Sequence, residues 1–335
     1  MKRILLTSFG KDVCYEFLSN FNEKQDFELF ICDMNSNSKA RYLTDNFFSV
    51  LSTRNEAYSK DLLAKAKEYD IKMIIPGSDE EALALMQKKE IFEKEGIIVA
   101  VQDMDLLPLF QSKAAVYGFL KEKNFPVPFY RKCQTKHEFL KILKELDYPK
   151  KPLLVKPNVS RGGRGIALLS ESVVPNKDDL ALMNKQFFMN FLDGTTEFLV
   201  MEYIEGAAYD IDVLKYKNGN EYFGIRKRLN NSGKVFLGNF FENNKEIRCF
   251  CEELYQKIPT KYLLDYDLMV TKDGQINLLE INPRPSGSTV SYLPFGFNLY
   301  SILAKSYLED QDVAINNSFQ GQSAVTFFKM IKGNG

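Results

Sequence analysis

The sequence has no tryptophan and one histidine, and its 44 basic residues are offset by 44 acidic ones. Each scarcity closes a class of chemistry. The lone His137, in the helix-like run Thr135-Lys-His-Glu-Phe-Leu140, cannot assemble a His-based metal site. A Ser-His-Asp triad would have to use it, with no nucleophile elbow in view. Zero formal net charge gives no electrostatic case for nucleic acid or an anionic membrane as partner. The five cysteines are scattered, none at CxxC spacing, which implies reduced thiols in a cytoplasmic protein. The apolar run within Met1–Gly10 is too short for a signal peptide or a transmembrane helix. An enzyme built from this chain would therefore work with carboxylates, lysines, arginines or a bound metal.

What is present argues for a well-packed protein. The chain has 335 residues, 45% of them hydrophobic, with 27 Phe and 17 Tyr, enough for one large domain or two to three modest ones and against disorder. In the first hundred residues, Ile4-Leu5-Leu6-Thr7, Phe27 to Cys32, Met73-Ile-Ile75 and Ile97 to Val101 have the length and branching of buried strands. Tyr58 to Tyr69 and Asp79 to Glu93 carry apolar residues at helical spacing. Strand–helix alternation predicts a parallel sheet with helices on its faces. Ser8-Phe9-Gly10 and Pro76-Gly77-Ser78-Asp79 then fall at strand carboxyl ends, where such sheets bind ligands, although Ser78 or Asp79 would serve equally as a helix cap. From about residue 111 the pattern shifts: a helix over 112–123, a second over 136–146, then mostly strands with glycine-centred turns at Arg161 to Gly165, Asn218-Gly219, Ser232-Gly233 and Asp273-Gly274. The segment 172–189 reads as loop, then helix. The fold class is α/β, becoming α+β in the C-terminal part.

Three stretches carry chemistry. The apolar strand Leu153-Leu-Val-Lys156-Pro157 runs into Asn158-Val-Ser160-Arg-Gly162-Gly163-Arg-Gly165. Glycines there would let backbone N–H groups approach an anion, with Lys156 pairing phosphate charge; a flexible hairpin fits the loop equally well. Phe198 to Glu202, followed by Tyr203-Ile204-Glu205-Gly206, is a strand ending in acids, whose edge groups could mimic base pairing to a purine. In Asp267-Leu-Met-Val-Thr-Lys-Asp273-Gly274-Gln-Ile-Asn-Leu-Leu-Glu280-Ile-Asn282-Pro-Arg284, Asp273-Gly274 reads as a two-residue hairpin turn. Counting outward from Lys272 opposite Gln275 sets Asp267 across from Glu280, with Asn282 on the same face. Opposed like charges among apolar residues call for a cation between them, and an all-oxygen set suits Mg²⁺ or Mn²⁺. Arg284 can reach that face to hold phosphate or carboxylate. Counting from Asn218-Gly219 pairs Lys227 with Asp210 and leaves Arg226 and Arg228 opposite Ile211 and Tyr209, unpaired and available for an anion.

Taken in order, a lysine at a helix start (Lys113), the strand-end Lys156 with its glycine loop, Met-Glu-Tyr-Ile-Glu-Gly and Glu-Ile-Asn-Pro-Arg resemble the ATP-grasp superfamily. The branch resembled holds carbamoyl-phosphate synthase large-chain domains and carboxylate–amine ligases. The resemblance covers about residues 105 to 310. It implies a Rossmann-like pre-ATP-grasp domain over 1–104 and an ATP-grasp domain over 105–335, with a mobile lid at about 126–200 and a metal-binding subdomain at about 201–335. It further implies that Lys113 and Lys156 bind ATP phosphates under the loop Ser160 to Gly165. Glu202 would accept from the adenine amine, with Tyr203, Ile204 and Glu205 at the hinge. Asp267, Glu280 and Asn282 would hold Mg²⁺, and Arg284, Arg226 and Arg228 would act at the reacting carboxylate. One position departs from the pattern: where many relatives carry a ribose-binding Glu the chain has Ala208, leaving Glu205 or Asp210 for that contact.

The implied reaction is phosphorylation of a substrate carboxylate by ATP, release of ADP, and capture of the acyl-phosphate by an amine. Its substrates are small molecules, with Ser8, Phe9, Ser78, Asp79, Glu80 and Ser286-Gly287-Ser288 as candidate contacts. A homodimer follows by analogy alone. Two rival readings are a carbamoyl-phosphate-synthase-like phosphorylating domain and an ATP-binding regulatory module without turnover. The first would have to work with one ATP-grasp unit and no glutaminase Cys/His pair.

Overall fold

A computed structural model describes residues 1–10, 14–24, 26–160, 165–171, 181–231, 236–327 and 330. The first sheet consists of β1 (Arg3–Thr7), β2 (Glu28–Asp33), β3 (Phe47–Ser49), β4 (Ile71–Ile75) and β5 (Ile98–Val99). All are parallel, in the order β3-β2-β1-β4-β5. Alternation along β1 divides the core between the two faces: Leu5 packs with Tyr58, Leu62 and Ala66 on one, Ile4 and Leu6 with Phe17 and Phe21 on the other. A strand covered on both sides shows a continuous apolar run, which is why the period-two signal is missing from its sequence. The helix expected over Asp79 to Glu93 is two, Asp79–Met86 and Lys89–Glu93. Ser78 caps the first, accepting from Glu81 N at 3.3 Å.

The second sheet comprises β6 (Tyr130–Cys133), β7 (Leu153–Pro157), β8 (Ala167–Leu169), β9 (Ala181–Met183) and β10 (Phe198–Glu202), in the order β6-β10-β7-β8-β9. It encloses its own core, where Phe139 and Leu143 of the helix Lys136–Glu145 meet Val155, Leu169 and Val200. That helix starts at a Thr135/Glu138 capping box, as its Thr-x-x-Glu signature dictates. β7 and β8 pair antiparallel, so the glycine loop does join two strands. Gly162 and Gly163 lie outside the described residues, as do 172–180 and the Ser232-Gly233 turn. The strand β9 precedes the short helix Lys185–Phe188 where loop alone was expected.

The third sheet holds β11 (Gly206–Lys215), β12 (Glu221–Arg228), β13 (Gly238–Phe241), β14 (Leu263–Thr271), β15 (Ile276–Asn282) and β16 (Ser323–Val325). It is antiparallel in the order β15-β14-β11-β12-β13-β16. Gln102, after the first sheet, exchanges both amide hydrogen bonds with the Lys261 backbone at 2.6 and 2.7 Å. Phe9 packs edge-on against Phe17 and Tyr300, so the loop after β1 is fastened to the helix Leu299–Glu309. Among the described residues no helix is long and apolar enough to cross a membrane.

Candidate active site

The site grows from two hairpins in the third sheet. The β14–β15 turn is closed between Thr271 and Gln275, not between Lys272 and Gln275: Thr271 N donates to Gln275 O at 3.0 Å. Gly274, at φ 87°, takes the left-handed conformation that closes this three-residue loop. Val270 therefore faces Ile276, one step off the two-residue count. The offset is undone by a bulge: Leu268 faces Leu278, Asp267 faces Glu280, and Leu279 is the extra residue. Asp267 does oppose Glu280, through two departures that cancel.

The β11–β12 hairpin has the same longer loop, closed by Tyr216 N to Asn220 O at 2.9 Å, and no bulge to compensate. Arg226 thus faces Asp210, and Lys227 faces Tyr209. The expected Lys227–Asp210 pairing does not form, and the arginines expected to be unpaired are both engaged. Arg226 binds both oxygens of Asp212, at 2.6 and 2.9 Å, and also Asn239 Oδ1 and Ser288 Oγ. Arg228 donates to Asp210 and, at 2.7 Å, to Asp267. Arg226 is wholly buried, so it cannot touch a substrate; Arg228 keeps 28% of its side chain exposed.

Register then places Arg226, Asp210, Asp267 and Glu280 in one row across β12, β11, β14 and β15, with Asp212, Asp265 and Asn282 in the next. Gly224 completes that second row. A Cβ on it would meet the Tyr292 hydroxyl at 1.8 Å, and the bare position lets that hydroxyl donate to Asp212 at 2.9 Å. Asp212 and Asp265 were not foreseen as site residues, and Asp210 was named only as a ribose contact or a partner for Lys227. Alternation along Asp265-Tyr-Asp267 was the available signal for Asp265.

Charge is not balanced locally. Burial, then the neighbouring Asp210 and Glu280, outweighs Arg228 and lifts Asp267 to about 7. Asp265 is raised well above the carboxylate range by burial and by Asp267. Arg228 and Arg226 overcome the burial of Asp210 and hold it below that range. One oxygen of Asp265, Oδ1, is buried without a hydrogen-bond partner, and ligand atoms of Asp210, Asp265 and Asp267 lie within 4.8 Å of one another. An oxygen-only donor set with an orphaned carboxylate oxygen fits a hard divalent cation. Asn282 donates its Nδ2 to Asp265 Oδ2 at 2.9 Å, leaving its amide oxygen as the remaining donor atom.

Two lysines reach this row from outside the sheet. Lys113 is the first residue of the helix Lys113–Glu122, whose start is fixed by Ser112 (from Ala115 N, 3.2 Å) and by Asn158 Oδ1 (from Ala114 N, 2.9 Å). Lys113 Nζ donates to the Ser160 carbonyl and to Glu280 Oε1 at 3.0 Å, bringing the helix, the loop after β7 and β15 together. Lys156 is buried on β7; burial lowers it to about 8, with Glu280 and Asp267 opposing. Gly165 has φ 75°, and a Cβ there would press on Pro157 at 2.9 Å.

The remaining expected residues are placed as follows. Glu202 is exposed and its Oε1 accepts from Phe129 N at 2.8 Å, so one carboxylate oxygen is already engaged. Tyr203 and Ile204 follow it half-buried. Glu205 pairs in solvent with Lys272 of the β14–β15 turn at 3.1 Å. Ala208 N donates to Asn231 Oδ1 at 3.1 Å. Asp210, bound by arginine and buried, is not free for a ribose. Arg284 reaches the first sheet, its Nε 2.9 Å from Asp79 Oδ1. Phe9 is buried among aromatics, and Ser288 is tied to Arg226 and Asp210, so neither is an open substrate contact. Ser78 turns its hydroxyl to Glu81, a buried acid not singled out in the sequence, which also receives Thr7 at 2.6 Å and Tyr58 at 3.2 Å.

Comparison with known proteins agrees with this architecture. Residues 194–327 match the family described as "ATP-grasp in the biosynthetic pathway with Ter operon", and residues 4–100 match "PylC-like, N-terminal domain". The arginine-specific carbamoyl phosphate synthase large chain of Halalkalibacterium halodurans is 22% identical over 208 residues, 58% of this chain and 18% of that protein. The D-alanine–D-alanine ligase of Parabacteroides distasonis is 24% identical over 148 residues, 43% of this chain and 45% of that protein. The matches thus span less than half of either relative. A carboxyaminoimidazole ribonucleotide synthase from Aspergillus clavatus, solved with ATP, superposes with a TM-score of 0.68 at 14% identity, over 96% of this chain and 80% of that one. The chain thus carries a stretch that matches an ATP-grasp family over residues 194–327, preceded by one that matches a PylC-like N-terminal domain over 4–100, on a fold shared with ATP-grasp proteins.

Proposed function

We propose that the protein is an ATP-dependent ligase that activates a substrate carboxylate as an acyl-phosphate and joins it to an amine. The observation that carries this reading is the convergence of Lys113 on Glu280, with Asp267 directly opposite and Arg228 beside it. Cations from two elements thus surround a pair of carboxylates that would otherwise repel. In this reading Lys113 and Lys156 bind the ATP phosphates, the loop Ser160 to Gly165 covers them, and the hinge from Glu202 to Glu205 receives the adenine. Asp267, Glu280 and Asn282 would hold Mg²⁺ or Mn²⁺, which when bound neutralises phosphate charge and polarises the transferred group. Residues 1–104 and 105–335 are the two domains, with 126–200 as the lid.

The chemistry balances without histidine. A substrate carboxylate oxygen attacks the γ-phosphorus, the β–γ bridging P–O bond breaks, and ADP leaves with its electron pair. The amine nitrogen then attacks the acyl carbon, and inorganic phosphate departs as the amine loses a proton to solvent. Arg284 and Arg228 are the cations with access to the reacting carboxylate and the oxyanion formed from it. Arg226, buried, supports them through Asp210 and Asp212. The test is ADP release with Mg²⁺, ATP and a panel of amino acids, other amines and bicarbonate. Release requiring both an acid and an amine supports the ligase. Release with bicarbonate alone favours the phosphorylating domain, and ATP binding without release from any pair leaves a nucleotide-binding module.

A further inference from the structure

Tyr117 lies one helical turn after Lys113, on the same face of the helix Lys113–Glu122, and is completely buried. Its hydroxyl makes two contacts. It donates to the carbonyl of Leu279 at 3.2 Å, and it receives Lys156 Nζ at 2.8 Å. The direction of each bond is forced. A carbonyl only accepts and an ammonium only donates, so the single phenolic hydrogen goes to Leu279 and the oxygen lone pairs face the lysine. Leu279 is the bulged residue that restores the Asp267–Glu280 register. One hydroxyl therefore joins the strand that carries Lys156 to the irregularity that positions Glu280.

Resting on the ligase reading above, we propose that Tyr117 is a positioning residue, whose hydroxyl holds the Lys156 ammonium in place for the nucleotide phosphates. A buried ammonium without an acceptor is costly, and Tyr117 is the side chain that accepts from Lys156 among the described residues. The interaction presents the charge at one point while leaving two of its three hydrogens for a ligand. Neither side chain is exposed enough for water to replace the contact.

The test is a double-mutant cycle read by calorimetric binding of Mg-ATP, with thermal unfolding measured alongside. Tyr117→Phe keeps the ring and removes the hydroxyl; it is expected to weaken ATP binding by about tenfold or more, the loss of a hydrogen bond to a charged group. Lys156→Met is expected to weaken binding at least as much, and adding Tyr117→Phe to it should change affinity by less than about twofold, because coupled residues are not additive. Unchanged affinity in folded Tyr117→Phe would overturn the assignment. So would an undiminished loss in the Lys156→Met background, because the hydroxyl would then act without the lysine. A wild-type chain that binds no ATP would sink the ligase reading itself, an outcome separate from either of these.

Discussion

Arg226 donates to both carboxylate oxygens of Asp212, Nε to Oδ2 at 2.6 Å and Nη2 to Oδ1 at 2.9 Å, with neither side chain exposed. Asp210 lies 3.6 Å from the same guanidinium. Replacing Arg226 with Met would strand these acids with one cation fewer, and breaking a buried pair costs about 3–5 kcal/mol. Urea denaturation of Arg226→Met should show a loss of that size. Adding Asp212→Asn should recover part of it, because the stranded charge is then removed.

Glu280 stands between Lys113 and Asp267. Glu280→Gln preserves shape and removes charge, so the fold should survive while metal-dependent ADP release falls by about two orders of magnitude or more. Turnover measured across a Mg²⁺ titration checks this. Wild-type rates in the variant would remove Glu280 from the metal site.

Lys156, lowered to about 8 chiefly by its burial, sets a pH dependence. Below pH 8 it is an ammonium, which in the ligase reading adds to phosphate binding; above pH 8 the charge is lost. ATP affinity should therefore weaken from pH 7 to pH 9, by up to about tenfold per unit once above 8. Calorimetry across that range measures it. Lys156→Arg, which stays charged, should flatten the profile even if its absolute affinity is lower.

Gly77 lies where β4 turns toward Ser78 and Asp79, and a Cβ there would stand 2.1 Å from the Thr7 carbonyl oxygen. Backbone cannot yield as a side-chain tip does. Gly77→Ala should lower stability by about 1–3 kcal/mol, read from the thermal midpoint. In the ligase reading Arg284 acts at the substrate carboxylate; because Asp79 meets Arg284, the same variant should then also raise KM for that acid.

The strand and cap chemistry of this chain was legible from the sequence because it is local. Ser78, one of the two residues offered as a cap, does cap its helix; Ser112 and Thr135 cap theirs by the same local chemistry but were not singled out for it. The four strands expected in the first domain are all present, although β5 is only Ile98–Val99. The helix Cys14–Lys24 and the strand β3 (Phe47–Ser49) were not singled out; the second is a three-residue edge with too few residues to show a period. Hairpin register was less legible. Asn218-Gly219 and Asp273-Gly274 both suggest two-residue turns, yet each loop takes one more residue, and only tertiary hydrogen bonds reveal it.

By itself, the sequence determined which residue types could do chemistry: with one histidine, the acids, lysines and arginines of the Lys156, Glu202 and Glu280 stretches. It also determined that Glu280 and Asn282 share a face, since alternation is a property of a single strand. Which charges meet was decided by the fold. Arg226 and Arg228 became buried and half-buried partners of Asp212, Asp210 and Asp267 because a one-residue change of register moves every cross-strand neighbour, and no single strand records its neighbour's register. Lys113, at the start of a helix, reaches Glu280 across 167 residues of chain because that helix packs on β15. That meeting depends on how three sheets pack.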